Sequence, residues 1–254
     1  MSAPLILVTN DDGIDATGLR VMAGQLEAIG EVIVAAPDRE QSAVGHGISL
    51  ARPLRVTDAR DGWHAVSGTP ADCVMLALLQ LCPRRPSLVV SGMNVGVNLG
   101  ADVFYSGTVA GALEGAIHEI PAIAVSQDLA VDVPIGELLA RTARFASALA
   151  AQVLDKGLPP RSALNINAPS VLTEEFRWTR HGRRAYREQA DRRLDLRGVP
   201  YYWIGGPPLA CDHEPGTDGH TLAEGLISVT LLGLDLTAPP PSWYDQWRPG
   251  RSAR

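Results

Sequence analysis

The chain reads as an α/β protein: a mostly parallel sheet with helices on both faces, plus a β-rich C-terminal extension. Three observations predict this. Short apolar, β-branched runs such as Leu5–Val8, Val32–Ala36, Leu88–Val90 and Ile123–Val125 are continuous rather than alternating, the pattern of strands buried on both faces. Segments of helical period separate these runs, and strands alternating with helices build a parallel sheet. Beyond Ala168-Pro169 that alternation stops and arginine-rich and aromatic stretches take over. The expected division is therefore an α/β domain over 1–169 and a β-rich extension over 170–254, an arm for packing on another subunit.

The elements follow in order. Leu5 to Val8 is the first strand. A helix is expected from Ala16 to Ile29, with Leu19, Met22, Leu26 and Ile29 at helical spacing and Gly30 as the stop. Glu31 to Ala36 is a strand halted by Pro37-Asp38, followed by a polar Gly/Ser loop from Arg39 to Ser49. Leu54–Thr57 and Trp63–Ser67 read as a β excursion. Thr69 as N-cap and Pro70 in the first turn open a helix from Ala71 to Leu81. Ser87–Val90 is a strand, Val109–His118 a helix of small residues, Pro121–Ser126 a strand, Ile135–Leu154 a long amphipathic helix, and Ala163–Asn167 a strand. In the extension, Arg177, Arg180, Arg183, Arg184, Arg187, Arg192, Arg193 and Arg197 alternate with acids, as in a salt-bridged arm. Tyr201–Ile204 and Leu226–Leu231 are strands, no helix is expected, and Pro239-Pro240-Pro241 introduces a tail. Trp203, Trp243 and Trp247 read as core or interface anchors.

Composition sets bounds on function. The 254 residues are 46% hydrophobic and 20% charged, as in ordinary globular proteins. A net charge of −6 excludes a nucleic-acid-coating surface but not a small anionic substrate held locally by a metal. Cys73, Cys82 and Cys211 are scattered and odd in number; they fit neither a disulfide framework nor a zinc site, so a reducing cytoplasm is expected. No apolar run approaches the roughly 18 residues of a membrane span, and Met1-Ser2-Ala3-Pro4 lacks the charged start of a secretion signal.

Chemistry concentrates where the strands end. The first runs into Thr9-Asn10-Asp11-Asp12-Gly13, and ligands of open α/β sheets lie beyond the carboxyl ends of the strands. Adjacent carboxylates repel unless a proton or cation lies between them. A hard divalent metal accounts for them economically; an acidic turn capping a helix is the alternative. The second loop, Asp38 to Gly47, offers the Ser42 hydroxyl, and the third, Gly92-Met93-Asn94-Val95-Gly96, offers the Asn94 amide. Asp11, Asp12, Ser42 and Asn94 with water form an all-oxygen shell suited to Mg²⁺, Mn²⁺ or Ca²⁺. Singly, Ser42 also reads as a local cap and Asn94 as a turn residue; their alignment along one sheet edge joins them.

A fourth piece, Ser106-Gly107-Thr108, opens the Val109 helix, where free N–H groups and the helix dipole favour an anion. An ordinary N-cap by Ser106 or Thr108 is the alternative. Asn98 lies just upstream and helps shape the pocket. A metal beside a helix-end anion site indicates phosphate ester chemistry, with Asp11 and Asp12 as its catalytic carboxylates. His46 is a candidate proton donor or simply a loop histidine. No Gly-x-Ser-x-Gly elbow occurs, no phosphate loop ends in Gly-Lys-Ser/Thr, and Gly92, Gly96 and Gly100 do not form the dinucleotide fingerprint.

Several stretches together resemble the SurE (survival protein E) family of nucleotide phosphatases. They are Val8-Thr9-Asn10-Asp11-Asp12-Gly13, Ala36-Pro37-Asp38-Arg39-Glu40-Gln41-Ser42, Ser67-Gly68-Thr69-Pro70-Ala71-Asp72, Ser91 to Gly100, Tyr105-Ser106-Gly107-Thr108-Val109-Ala110-Gly111-Ala112, Leu164-Asn165-Ile166-Asn167, and Ser228-Val229-Thr230 to Asp235-Leu236-Thr237. The resemblance implies a Rossmann-like N-terminal domain and one divalent metal ion per subunit, Mg²⁺ or Mn²⁺, on Asp11, Asp12, Ser42 and Asn94. It implies hydrolysis of nucleoside 5′- and 3′-monophosphates, with some members also trimming short polyphosphate. It further implies a C-terminal part that exchanges elements within a homodimer, sometimes a homotetramer. Neither a nucleic-acid polymer nor a membrane is an expected partner. Two features depart from the family: Leu231 stands where proline is usual, and the arginine-rich stretch 177–197 does not align residue by residue. Both concern the arm and the assembly.

Two other classes compete. A phosphatase working through aspartyl-phosphate needs Asp-x-Asp and a later lysine, but here the acids are adjacent and Lys156 is the sole lysine. A phosphate-binding sensor of the receiver type needs an acceptor aspartate at the third strand end, where this chain has Ser91-Gly92-Met93-Asn94.

Overall fold

The computed structural model describes residues 3–60, 62–129, 133–186, 189–206, 208–211 and 214–240. Its elements are β1 (Leu5–Thr9), α1 (Thr17–Leu26), β2 (Glu31–Pro37), β3 (Val56–Arg60), β4 (Trp63–Val66), α2 (Pro70–Leu76), β5 (Leu88–Val95), α3 (Gly107–Ile117), β6 (Ala122–Gln127), α4 (Ile135–Lys156) and β7 (Ser162–Ala168). The C-terminal part adds β8 (Phe176–Thr179), β9 (Arg184–Tyr186), β10 (Gln189–Leu194), β11 (Pro200–Gly205), β12 (Pro208–Cys211), α5 (Asp218–Ala223) and β13 (Ile227–Gly233).

Nine strands form one sheet in the order β3-β4-β2-β1-β5-β6-β7-β13-β8. From β4 to β7 neighbours run parallel. Near the edges, β3 is antiparallel to β4 and β13 antiparallel to β7. Strands β8 and β13 thus complete the sheet begun by the first 169 residues. The apolar runs are buried on both faces as their patterning requires. Ile6, Val8 and Val90 meet Leu19 and Met22 of α1 and Leu139 and Ala143 of α4. Leu5, Leu7 and Val89 meet Cys73 and Val74 of α2 and Val109 and Ala112 of α3. Each large aliphatic side chain taken fully out of water contributes about 1.5–3 kcal/mol, so the strand ends project from a rigid floor.

Helix α2 starts as expected, with a reciprocal capping box: Asp72 N–H donates to Thr69 Oγ1 (3.1 Å) and Thr69 N–H to Asp72 Oδ2 (2.9 Å). It does not continue as one α-helix to Leu81; Ala77–Leu81 is a π turn. The extension was expected to have no helix, but α5 forms there, with Thr217 accepting from the His220 amide. Its six residues are too few for hydrophobic periodicity to reveal.

Two ribbons lie outside the main sheet, β10 with β11 and β9 with β12. Four of the arginines pair with acids: Arg177 with Glu224, Arg180 with Glu214, Arg184 with Asp102 and Arg193 with Asp191. Trp203 is 63% exposed and therefore outside the core. Arg187, Trp243, Trp247 and Pro241 lie outside the described residues. No helix among the described residues is long and apolar enough to cross a membrane.

Candidate active site

Asp11 lies two residues past the end of β1 and is buried, with 5% of its surface exposed. The amino end of α3 closes on it. Thr108 donates to Asp11 Oδ1 through its hydroxyl and to the carboxylate through its backbone N–H. Gly107 allows this approach: a Cβ there would stand 2.8 Å from Asp11 Cβ, 3.0 Å from Oδ2 and 3.2 Å from Pro70 Cγ. One turn on, a Cβ at Gly111 would lie 2.8 Å from Ser91 Oγ and 2.8 Å from Thr9 Cγ2. The small-residue composition of this helix thus brings its positive end against the end of β1. Burial raises the Asp11 carboxyl above its ordinary range, and the Thr108 hydrogen bonds offset part of that rise.

Asp12 is half-buried and accepts from the Val95 N–H of the β5 loop. Burial first, then the charge of Asp11, pushes its carboxyl up to about 6. Strand β5 delivers this loop through a register shift against β6 between Gly92 and Asn94, the kind of irregularity that re-aims a side chain. Asn94 donates from Nδ2 to Gly96 O (2.7 Å), which leaves Oδ1 for another partner. Helix α1 packs tightly beneath, since a Cβ at Gly18 would lie 2.1 Å from Met93 O.

The loop after β2 joins the same point: Gln41 N–H donates to Asp11 O (2.7 Å). The neighbouring Ser42 is exposed, and its hydroxyl donates to Glu40 Oε1 (2.7 Å). Glu40 also raises both aspartates through its charge, a neighbouring carboxylate that the sequence reading did not single out. The signal available was its place two residues before Ser42.

The remaining candidates are placed as follows. Ser106 is the N-cap of α3, accepting from Val109 N–H (3.1 Å), the alternative left open by the sequence. Asn98 is tied into a buried amide network. Its Nδ2 donates to Ser126 Oγ (2.8 Å), its N–H to Asn167 Oδ1 (2.7 Å), and its carbonyl accepts from Asn165 (2.9 Å) and Asn167 (3.2 Å). His46 lies 2.7 Å from Glu114, well along α3. A mainly apolar cavity of about 580 Å³ is walled by His46, Phe104, Leu113, Leu232 and Leu234, and none of Asp11, Asp12, Ser42 or Asn94 lines it.

The donor chemistry fits a divalent cation. Asp11, Asp12 and Glu40 repel one another, and among the described residues no Lys, Arg or His forms an ion pair with Asp11 or Asp12. No three His, Cys, Asp or Glu side chains there gather as a metal cluster, so a site here needs neutral oxygens beside the two aspartates. Asn94 and Ser42 are the neutral oxygens at hand, as a hard ion prefers. Asn10 Oδ1, buried next to the pair, has no hydrogen-bond partner.

Residues 6–188 match the family described as Survival protein SurE. The 5′-nucleotidase SurE of Pelobacter propionicus is 48% identical over 235 residues, covering 91% of this chain and 94% of that protein. That of Moorella thermoacetica is 49% identical over 243 residues, covering 92% and 91%. The crystal structure of the SurE protein from Aquifex aeolicus superposes with a TM-score of 0.77 at 39% identity, covering 92% of this chain and 95% of that one.

Proposed function

Since the chain belongs to the SurE family, we propose that it is a 5′-nucleotidase that hydrolyses nucleoside 5′-monophosphates to nucleoside and phosphate. One observation carries the reading: relatives that bear this name are 48–49% identical across more than nine-tenths of the chain. The site chemistry supports it, because the uncompensated carboxylates and a helix amino end meet at one sheet edge. Nucleoside 3′-monophosphates and short-chain polyphosphate are further substrates in this proposal. The proposal also includes an assembly of two or four copies and a cytoplasmic setting.

The proposed cofactor is one divalent ion per subunit, Mg²⁺ or Mn²⁺, held by Asp11, Asp12, Ser42 and Asn94. When bound, it supplies charge neutralisation and Lewis-acid polarisation of a phosphoryl oxygen. The chain's own residues do the rest. Thr108 and the Val95 amide hold Asp11 and Asp12 in place. The helix dipole of α3 faces the developing charge of the transferring phosphoryl group. Asn98, Ser106, Gly107 and Thr108 shape the surface on which the phosphate oxygens rest.

The test strips the protein with EDTA and measures phosphate release from a panel of 5′- and 3′-nucleoside monophosphates, with and without added Mg²⁺ or Mn²⁺. Multiple turnovers that appear only on adding metal support the proposal. No release from any nucleotide by folded protein overturns it in favour of a binding module.

A further inference from the structure

Glu114 is a carboxylate only 4% exposed, near the end of α3. Such a group needs partners, and two histidines supply them. Oε1 lies 3.2 Å from Nε2 of His118, the C-cap of the same helix four residues on. Oε2 lies 2.7 Å from His46 Nε2, 68 positions earlier in the chain. At a rise of about 1.5 Å per residue, Glu114 lies about 9 Å along α3 from Thr108. An imidazole resting on Glu114 therefore does not serve a phosphate at the helix amino end as its proton donor.

His46 instead belongs to a row of anchors on the loop that carries Ser42. Before the serine, Gln41 N–H holds Asp11 O (2.7 Å). After it, Gly45 N–H holds Tyr105 O (2.9 Å), Thr69 Oγ1 donates to Gly47 O (2.6 Å), and Ser49 N–H donates to Asp72 Oδ1 (2.8 Å). Between the two sides Ala43 takes φ 57°, a left-handed conformation that a non-glycine residue keeps only when its surroundings hold it there. Beyond these, the His46 side chain reaches Glu114 of α3, the helix whose amino end grips Asp11.

Resting on the reading of Asp11, Asp12, Ser42 and Asn94 as a metal site, we propose that His46 and Glu114 are positioning residues. Their contact latches the Ser42 loop to α3 and so fixes the Ser42 hydroxyl relative to Asp11. The latch acts on metal affinity and turnover, not on nucleotide binding. His118 takes no part, because its contact with Glu114 is local to the helix.

The test measures Mn²⁺ affinity by calorimetry without substrate, together with kcat and KM, for the wild type, His46→Ala, His46→Gln and His118→Ala. His46→Ala is expected to bind Mn²⁺ about ten-fold more weakly, the scale of an outer-shell loss, with kcat lowered and KM for nucleotide little changed. His46→Gln keeps an N–H donor toward Glu114 and is expected to recover most of the affinity; His118→Ala is expected to match the wild type. Wild-type affinity in His46→Ala overturns the latch alone. So does a large loss of kcat at unchanged Mn²⁺ affinity, which makes His46 a catalytic residue, or an equal loss in His118→Ala. If the wild type binds no Mn²⁺, the metal reading falls and the latch with it. Should His46→Ala fail to fold, His46→Leu, which fills the space without a donor toward Glu114, replaces it and is judged by the same criteria.

Discussion

The Thr108 hydroxyl donates to Asp11 Oδ1 across 97 positions of sequence. This bond joins the first strand end to the amino end of α3 and fixes one carboxylate before any ligand arrives. A helix amino end is an anion site, and here part of its donor capacity is already spent on the chain's own aspartate.

Thr108→Val keeps the shape of this buried side chain but removes the donor. It is expected to lower kcat/KM by about 10–100-fold, the usual effect of losing a group that orients a ligand, while Thr108→Ser stays near wild type. Steady-state kinetics with AMP and Mn²⁺ check this.

Gly107→Ala puts a methyl 2.8 Å from Asp11 Cβ and 3.2 Å from Pro70 Cγ, contacts that force Asp11 or α3 to move. The expected result is loss of more than about 100-fold in kcat/KM, as for misplacement of a catalytic group by about 1 Å, in a protein that still unfolds cooperatively by circular dichroism.

Asp218 ties three segments together, accepting from the Gly100 N–H (2.9 Å), Gly182 N–H (2.8 Å) and Gly219 N–H (2.8 Å). Burial alone raises its carboxyl, but the neighbouring His181 imidazole (3.4 Å) and these amide hydrogen bonds outweigh burial and hold it below its ordinary range. A folded-state value below the unfolded one means that the stabilisation is present above the unfolded pKa, about 3.9, and is lost as pH falls through the folded value. Asp218→Asn is expected to lower Tm at pH 7 by roughly 5 °C, from about 1.5–3 kcal/mol for charged hydrogen bonds and about 2–4 °C per kcal/mol at this length. That deficit is expected to shrink below about pH 4, as thermal melts between pH 3 and 7 would show.

The β10–β11 ribbon exposes Tyr202 (59%), Trp203 (63%) and Ile204 (90%), a run of large side chains that favours burial against another surface. If that surface is a second copy, light scattering gives the mass of two or four chains, and Trp203→Asp with Ile204→Asp lowers it. An unchanged oligomer in this variant places the interface elsewhere.

The parallel sheet and the strand ends were legible because continuous β-branched runs and glycine stops are local signals. Asp11 and Asp12 stood out because two acids at the end of an apolar strand have no packing explanation. Ser106 and Thr108 were each read as phosphate contact or N-cap; Ser106 is the cap and Thr108 also bonds Asp11, a link between distant segments that sequence does not display. Glu40 was missed because its effect on Asp11 and Asp12 comes from proximity across loops. The partner of His46 was hidden for the same reason: 68 positions separate it from Glu114. In the arm, Gln189–Leu194 is mostly polar and exposed throughout, so its pairing with Pro200–Gly205 leaves no hydrophobic pattern to read.

The central claim is that Asp11 and Asp12 hold the metal on which phosphate release depends. The most direct measurement titrates Mn²⁺ into EDTA-stripped wild type and Asp11→Asn while following phosphate release from AMP, with circular dichroism confirming that both are folded. The expected result is metal-dependent turnover in the wild type and none in Asp11→Asn at any Mn²⁺ concentration. An Asp11→Asn protein that turns over AMP and still responds to Mn²⁺ would contradict the assignment.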